Sequence, residues 1–200
     1  MELYTYFRSG NGRKVHFALE ELGVAYTLVP VDLAAGANRH ADYLRINPNG
    51  KVPTLHDGAA RVWESSAILL YLNDVYGAGR LLPADPAARA QAYQWLLWQP
   101  TTFNPPLQQV VREMRKPEPE RDMRTVGDAR AMIHANLEVL AAALDTREHF
   151  AGDFGLADIV MLPHLVALAA LEVALPANLD AWRARVAARP AWQVVLGYTG

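Results

Sequence analysis

No cysteine occurs anywhere in the 200 residues. That excludes disulfides, thiolate metal ligands and any mechanism built on a protein Cys nucleophile. No apolar run approaches the ~20 residues needed to span a bilayer, and Met1-Glu2-Leu3-Tyr4 enters a strand pattern at once, so we expect neither a signal peptide nor an anchor. An excess of charge is also missing. Lys and Arg number 19 against 21 Asp and Glu, a formal net charge of −2, which gives no electrostatic reason to expect nucleic acid or an anionic membrane as a partner. The histidines (His16, His40, His56, His134, His149, His164) are scattered, and no pair has a ligand-like helical spacing with a carboxylate, so we read no metal site. A cytoplasmic location fits these absences. What the chain does have is apolar content: 52% hydrophobic and 20% charged residues suffice for one domain or two small ones.

Leu3 to Phe7 is a short β-rich run. Lys14 to Leu22 has helical periodicity, with Val15, Ala18, Leu19 and Leu22 on one face and Gly23 as the stop. Tyr26 to Val31 is a second strand, and Asn38 to Ile46 is read as a short helix or irregular segment. Val52 to His56 and Arg61 to Trp63 form a hairpin across Asp57-Gly58. Ser65 to Tyr76 is a helix ended by Gly77. This order, β-α-β-α-β-β-α, predicts a small α/β domain with a mixed sheet over 1–77. A linker follows over 78–86, where Asp85-Pro86 supplies an N-cap and a first-turn Pro. From there, over 87–200, every strong pattern is helical, with helices expected near 86–99, 106–116, 122–145, 156–172, 178–188 and 190–197. Pro100, Pro105 and Pro106 should break or kink the first of these. Gly155 reads as an N-cap with Asp158 three residues on, and Phe154 and Ile159 have staple spacing. This is a folding device.

Three segments could carry chemistry. In Asn47-Pro48-Asn49-Gly50-Lys51-Val52-Pro53, a turn leads into a strand through a Pro that belongs at an edge or bend. An X-Pro bond there is where a cis peptide is expected. A cis Val52–Pro53 bond would turn the Val52 N–H and C=O outward, to pair with a bound peptide backbone; an ordinary edge-strand Pro is the plainer alternative. Glu64-Ser65 stands at a strand-to-helix junction. Ser65 can bind a carboxylate at the helix N-terminus and Glu64 can accept from an ammonium group, although an N-cap serine with a first-turn acid is common. Arg8-Ser9-Gly10-Asn11-Gly12-Arg13-Lys14 places a hydroxyl and an amide near another helix N-terminus. Such a site can stabilise a thiolate. A free thiol has a pKa of ~8.5 and is only ~3% ionised at pH 7; two units of depression correspond to ~2.7 kcal/mol. Plain capping by Ser9 or Asn11 is the alternative.

Taken together, Ala18-Leu19-Glu20-Glu21-Leu22-Gly23, the Asn47 to Pro53 turn, Glu64-Ser65-Ser66-Ala67-Ile68-Leu69-Leu70-Tyr71-Leu72, and Ala151-Gly152-Asp153 through Ala157-Asp158 resemble the glutathione transferase superfamily over essentially the whole chain. The resemblance implies an N-terminal thioredoxin-like domain with a mixed four-stranded sheet and a C-terminal helical bundle. It implies that glutathione is the co-substrate. Val52, next to cis-Pro53, would pair with its cysteinyl backbone, and Glu64 and Ser65 would hold its γ-glutamyl end. Lys51 and His40 would lie near its glycyl carboxylate. Ser9 matches the thiolate-stabilising serine of the serine-type classes, and the loop is also similar to that of the bacterial Nu class, where Thr and Asn face the sulfur. Ser9 and Asn11 are therefore the expected catalytic pair, with Tyr6 as rival donor against its simpler reading as a strand residue facing core or sheet. The resemblance also implies a homodimer.

The second substrate should sit between the domains, with Trp95, Trp98, Gln99, Thr102, Phe103 and Asn104 as candidate wall. Core packing is the alternative for Trp95 and Trp98, which stand at i and i+3. Arg112, Arg115 and Lys116 read as a solvated face. The leading function is glutathione attack on a small electrophile. Two others stay open: glutathione-dependent disulfide or peroxide reduction, and non-catalytic binding of glutathione or apolar ligands.

Overall fold

The computed structural model describes residues 1–199; Gly200, the last residue of the expected helical segment, lies outside them. Strands β1 (Glu2–Thr5), β2 (Thr27–Pro30), β3 (Thr54–Asp57) and β4 (Ala60–Trp63) form one sheet in the order β2-β1-β3-β4. β1 and β2 pair in parallel because helix α1 (Gly10–Leu22) supplies the crossover. The other pairs are antiparallel. Asp57 pairs with Ala60 across a two-residue turn, and Gly58 at φ +58° provides the positive φ such a turn needs. Tyr4 faces Thr54 and Thr54 faces Trp63. That register brings the end of β1, the start of β3 and the end of β4 to one end of the sheet.

α1 packs on α3 (Ser65–Leu72), and Val15, Leu19, Ile68 and Leu69 join Leu3 and Leu55 of the central strands in one core. α1 begins at Gly10 rather than Lys14, because Ser9 is its N-cap. Gly23, at φ +64°, ends it in a Schellman arrangement, with Gly23 N donating to Glu20 O and Val24 N to Leu19 O. The segment read as a short helix or irregular over 38–46 is a 3₁₀ turn, Ala37–Arg39, followed by the single turn α2 (Ala41–Leu44).

The remainder is helical: α4 (Pro86–Trp98), α5 (Asn104–Met114), α6 (Met123–Ala143), α7 (Leu156–Ala167), α8 (Ala177–Ala187) and α9 (Pro190–Gly197). This is a thioredoxin-like domain followed by a helical bundle. Pro100 was expected to break or kink its helix, and regular α-helix does stop at Trp98, two residues before it. A wide π turn, Gln99–Phe103, carries α4 straight into α5. The carbonyl of Leu96, four residues before Pro100 and denied its N–H, accepts instead from Ser66 Oγ at 3.1 Å. Pro105 and Pro106 follow at the start of α5, and the Thr102 carbonyl, four residues before Pro106, accepts from Asn136 Nδ2 at 3.2 Å instead. A second π turn, Asn73–Gly77, extends α3, and a 3₁₀ turn, Leu168–Leu171, follows α7 where we expected the helix to run to 172.

α7 is the centre of the bundle, buried from Leu156 through Leu165. Its start explains Gly155. A Cβ there would sit 2.5 Å from the Leu81 carbonyl oxygen, to which Leu156 N donates at 2.9 Å. Arg189, at the start of α9, grips Glu21 of α1 with Nε at 2.6 Å and a second nitrogen at 2.8 Å. It also lies 3.7 Å over the Phe154 ring.

Candidate active site

Ser9 follows β1 and caps α1, its Oγ accepting from Gly12 N at 3.1 Å. One lone pair of the hydroxyl is thus occupied from within the protein, and its hydrogen is left to donate outward. The amides of the first turn of α1 add the positive end of the helix dipole. Two glycines let this turn sit where it does. A Cβ on Gly12 would lie 2.1 Å from Thr5 Oγ1, and one on Gly10 would lie 3.0 Å from His164 Nε2 on α7. Asn11 Oδ1 is buried with no hydrogen-bond partner among the described residues.

The turn before β3 is tied from several sides. Lys51 C=O accepts from Tyr43 Oη at 2.6 Å and Asn47 Nδ2 at 2.8 Å, and Gly50 C=O accepts from Asn38 Nδ2 at 2.6 Å. Gly50 is needed at φ +59°, where a Cβ would press to 3.0 Å on Asn38 O. The Val52–Pro53 peptide is cis, and Val52 N–H and C=O enter neither a ladder nor a turn. Glu64, with an exposed side chain, holds φ +70°, a conformation costing an L residue roughly 1–3 kcal/mol. Ser65, beside it, is buried.

Ser65 has a partner that pattern reading missed. Lys14 is fully buried, and its Nζ donates to Ser65 Oγ at 3.3 Å and to Gln99 Oε1 at 2.6 Å. The arrangement matches that at Ser9: a protein donor occupies the serine oxygen and leaves the hydroxyl hydrogen free. Lys14 stands four residues before Ala18, on the apolar stripe of α1, and that position was the available signal. Burial pushes its amine down to about 7, with Glu64 opposing. His164 is held well below the ordinary imidazole value by burial and then by the Lys14 charge.

A cavity of about 400 Å³ opens between sheet and helices at this point, with Tyr6, Ser9 and Asn11 on one wall and Leu107, Val111 and His164 on the other. An N-terminal and a C-terminal sequence model, both described as glutathione S-transferase, match residues 8–75 and 103–190. Glutathione S-transferase GstB of Escherichia coli is 34% identical over 194 residues, covering 94% of this chain and 93% of its own. The chain belongs to the glutathione S-transferase superfamily. Among solved structures, a theta-class glutathione S-transferase from Xanthomonas axonopodis pv. citri with glutathione bound is 35% identical, with a TM-score of 0.91 over 99% of this chain and 97% of that one. The transferase URE2P6 of Phanerochaete chrysosporium, in complex with oxidised glutathione, is 31% identical, with a TM-score of 0.90 over 98% and 94%.

In this glutathione S-transferase, not every expected site residue meets the cavity. Ser9 and Asn11 line it. Tyr6 lines it too, rather than facing core or sheet. Val52, Pro53, Glu64 and Ser65 stand at the same sheet end, while His40 and Lys51 are exposed beyond it. The residues expected to wall the second substrate stand apart from this cavity. Phe103 is fully buried and stacked on Trp98 at 5.8 Å, Thr102 is exposed and away from the cavity, and Trp98 lines a separate pocket with Trp95 and Arg147. The continuous α4–α5 helix is the reason, since it turns α5, not the Pro100 region, toward Ser9. Arg115, expected on a solvated face, lines the cavity.

Lys14 predicts a pH effect. Its ordinary value is 10.5 and its folded value about 7. Between those limits the unfolded chain keeps a proton that the folded chain has shed, so stability rises with pH there and the penalty is full below 7. Lys14→Met abolishes this. The stability of the variant relative to the parent should fall by roughly 2–4 kcal/mol between pH 6 and 10, read by urea unfolding across that range.

Proposed function

We propose that this chain binds glutathione at the end of the sheet and stabilises its thiolate for attack on a small electrophilic molecule. The supporting observation is the Ser9 hydroxyl, poised at the α1 N-terminus with its oxygen already bonded by Gly12 N, facing the cavity beside Asn11. Residues 1–77 would hold glutathione and residues 87–200 would shape the electrophile site, joined by the linker 78–86. Val52 would pair with the cysteinyl backbone beside Pro53. Glu64 would take the γ-glutamyl ammonium and Ser65 its carboxylate, with Lys51 and His40 near the glycyl end. Hydrogen bonds to charged groups contribute ~1.5–3 kcal/mol. Ser65→Ala should therefore raise the KM for glutathione about tenfold or more while kcat falls less, and steady-state kinetics at varied glutathione check this. An unchanged KM would remove Ser65 from the site.

Glutathione-dependent disulfide reduction is a second reading, favoured by the likeness to a relative solved with oxidised glutathione. Two glutathione molecules can supply both thiols, so the missing Cys is no obstacle. Turnover of a small disulfide faster than of an aryl halide would select it. We also propose a homodimer and a cytoplasmic site of action. Exposed Trp63 on β4 and Leu97 on α4 support the dimer, and sedimentation measures it. Glutathione's role as a main cytosolic thiol supports the location. Among the described residues no helix is long and apolar enough to cross a membrane, and no group of three His, Cys, Asp or Glu gathers as a metal site.

A further inference from the structure

Among the described residues, the cavity beside Ser9 is lined by two arginines and no acidic side chain. Arg8 precedes Ser9 directly, and Arg115 closes the C-terminal end of α5. Both are exposed, and neither side chain has an ion pair or hydrogen bond among the described residues. Arg8 rests only on the Phe7 ring, 5.2 Å from its centroid. Their neighbours differ. Arg13 Nε donates to Phe7 O at 2.9 Å, and Lys116 pairs with Glu113 at 2.7 Å. Among the described residues that line the cavity, the charged side chains are Arg8 and Arg115, both positive. Burial, and then the Arg8 charge, lower the Arg13 guanidinium from its ordinary value. Lys14 lies behind, near His164. Leu33, Leu107, Val111 and Leu171 supply the rest of the wall as apolar surface. Like charges facing one space in partly desolvated surroundings repel, and a bound anion converts that repulsion into attraction.

We propose that the electrophile accepted by this cavity is an amphipathic carboxylate, its apolar body against Leu107 and Val111 and its carboxylate on Arg8 and Arg115. The proposal rests on the glutathione reading for its nucleophile but not for its anion site. The step is a substitution without redox change. The glutathione sulfur forms a bond to the electrophilic carbon, the carbon–halogen bond breaks, and halide leaves with the bonding pair. The thiol proton has already passed to solvent. Arg8 and Arg115 are binding residues and take no part in bond making.

A matched pair of probes tests this. 4-Chloro-3,5-dinitrobenzoate and 4-chloro-3,5-dinitrobenzamide differ in charge at nearly constant shape, and each rate is divided by its uncatalysed rate with glutathione. The acid should show a normalised kcat/KM about tenfold above that of the amide, equivalent to ~1.4 kcal/mol of selective binding, and the preference should shrink as salt rises. Arg115→Ala and Arg8→Ala should each cut the acid-to-amide ratio several-fold, and Arg115→Glu should reverse it. Equal use of acid and amide overturns the proposal. So does a substitution that raises the KM for glutathione and lowers both rates alike, since the arginines would then serve a glutathione carboxylate or the thiolate itself. Calorimetric titration of each probe without glutathione keeps the two readings apart. Tighter binding of the acid supports the anion site even if glutathione fails to bind; equal affinities overturn the site even if the transferase reaction proceeds.

Discussion

Ser9→Ala should slow glutathione conjugation at pH 7 by up to about 25-fold, with the deficit closing by pH 9. If the site lowers the thiol pKa by two units from ~8.5, about three-quarters of bound glutathione is thiolate at pH 7, against ~3% without the shift. That ratio sets the upper limit. Part of it is recovered, because a more basic thiolate is a better nucleophile, with a Brønsted slope of ~0.4–0.5. At pH 9 the thiol is mostly ionised either way, so the donor no longer matters. This pH dependence separates thiolate stabilisation from a binding role, which would depress the rate at both values. Ser9 also caps α1 through Gly12 N, so Ser9→Ala should cost about 1 kcal/mol of stability. Ser9→Thr, which keeps hydroxyl and cap, should restore most of both.

Asp158→Ala should destabilise the fold by roughly 3–5 kcal/mol, the scale for removing one partner from a buried charged network. The Asp158 carboxylate is fully buried. Its Oδ2 accepts from Gly155 N at 3.1 Å, and its Oδ1 accepts from Trp182 Nε1 at 2.8 Å and lies 3.1 Å from His149 Nδ1. One side chain therefore caps α7, anchors α8 through Trp182 and fixes the segment that precedes α7. Alanine leaves the buried Trp182 and Gly155 donors without the acceptor they have in the parent. For a chain of this length, each kcal/mol corresponds to ~2–4 °C in Tm, so a fall of about 10 °C is expected. Asp158→Asn keeps an acceptor and should lose less than half as much. A Tm within 2–3 °C of the parent for Asp158→Ala would show that the network contributes little.

Much of this was written in the chain because local signals and tertiary demands agree. Gly23, Asp57-Gly58 and Gly77 punctuate the sheet domain, and hydrophobic periodicity between them is unambiguous. The expected helix start at Gly155 is where α7 begins. The Asn47 to Pro53 turn could be read because Pro and Gly each restrict the backbone in a known way. What stayed hidden depends on contacts distant in sequence. Pro100 signals a break or kink, but that a π turn carries the helix on depends on Ser66, from another domain, satisfying the Leu96 carbonyl. Once the helix continues, Phe103 turns into the core, and Leu107, Val111 and Arg115 line the cavity beside Ser9. Lys14 stayed hidden for a related reason. A lysine on an apolar stripe counts as an interruption unless its partners, Ser65 and Gln99, are known to lie within reach. Gly10 is explained only by His164, 154 positions away, pressing on the space a side chain would need.

The central claim is that the Ser9 end of α1 lowers the pKa of a bound glutathione thiol. The direct measurement is a pH titration of thiolate absorbance for glutathione bound to the protein, with Ser9→Ala and Asn11→Ala in parallel. The bound thiol should titrate about two units below ~8.5, with Ser9→Ala returning it most of the way. Bound glutathione titrating at its free value would contradict the account and make the site a binding pocket without activation.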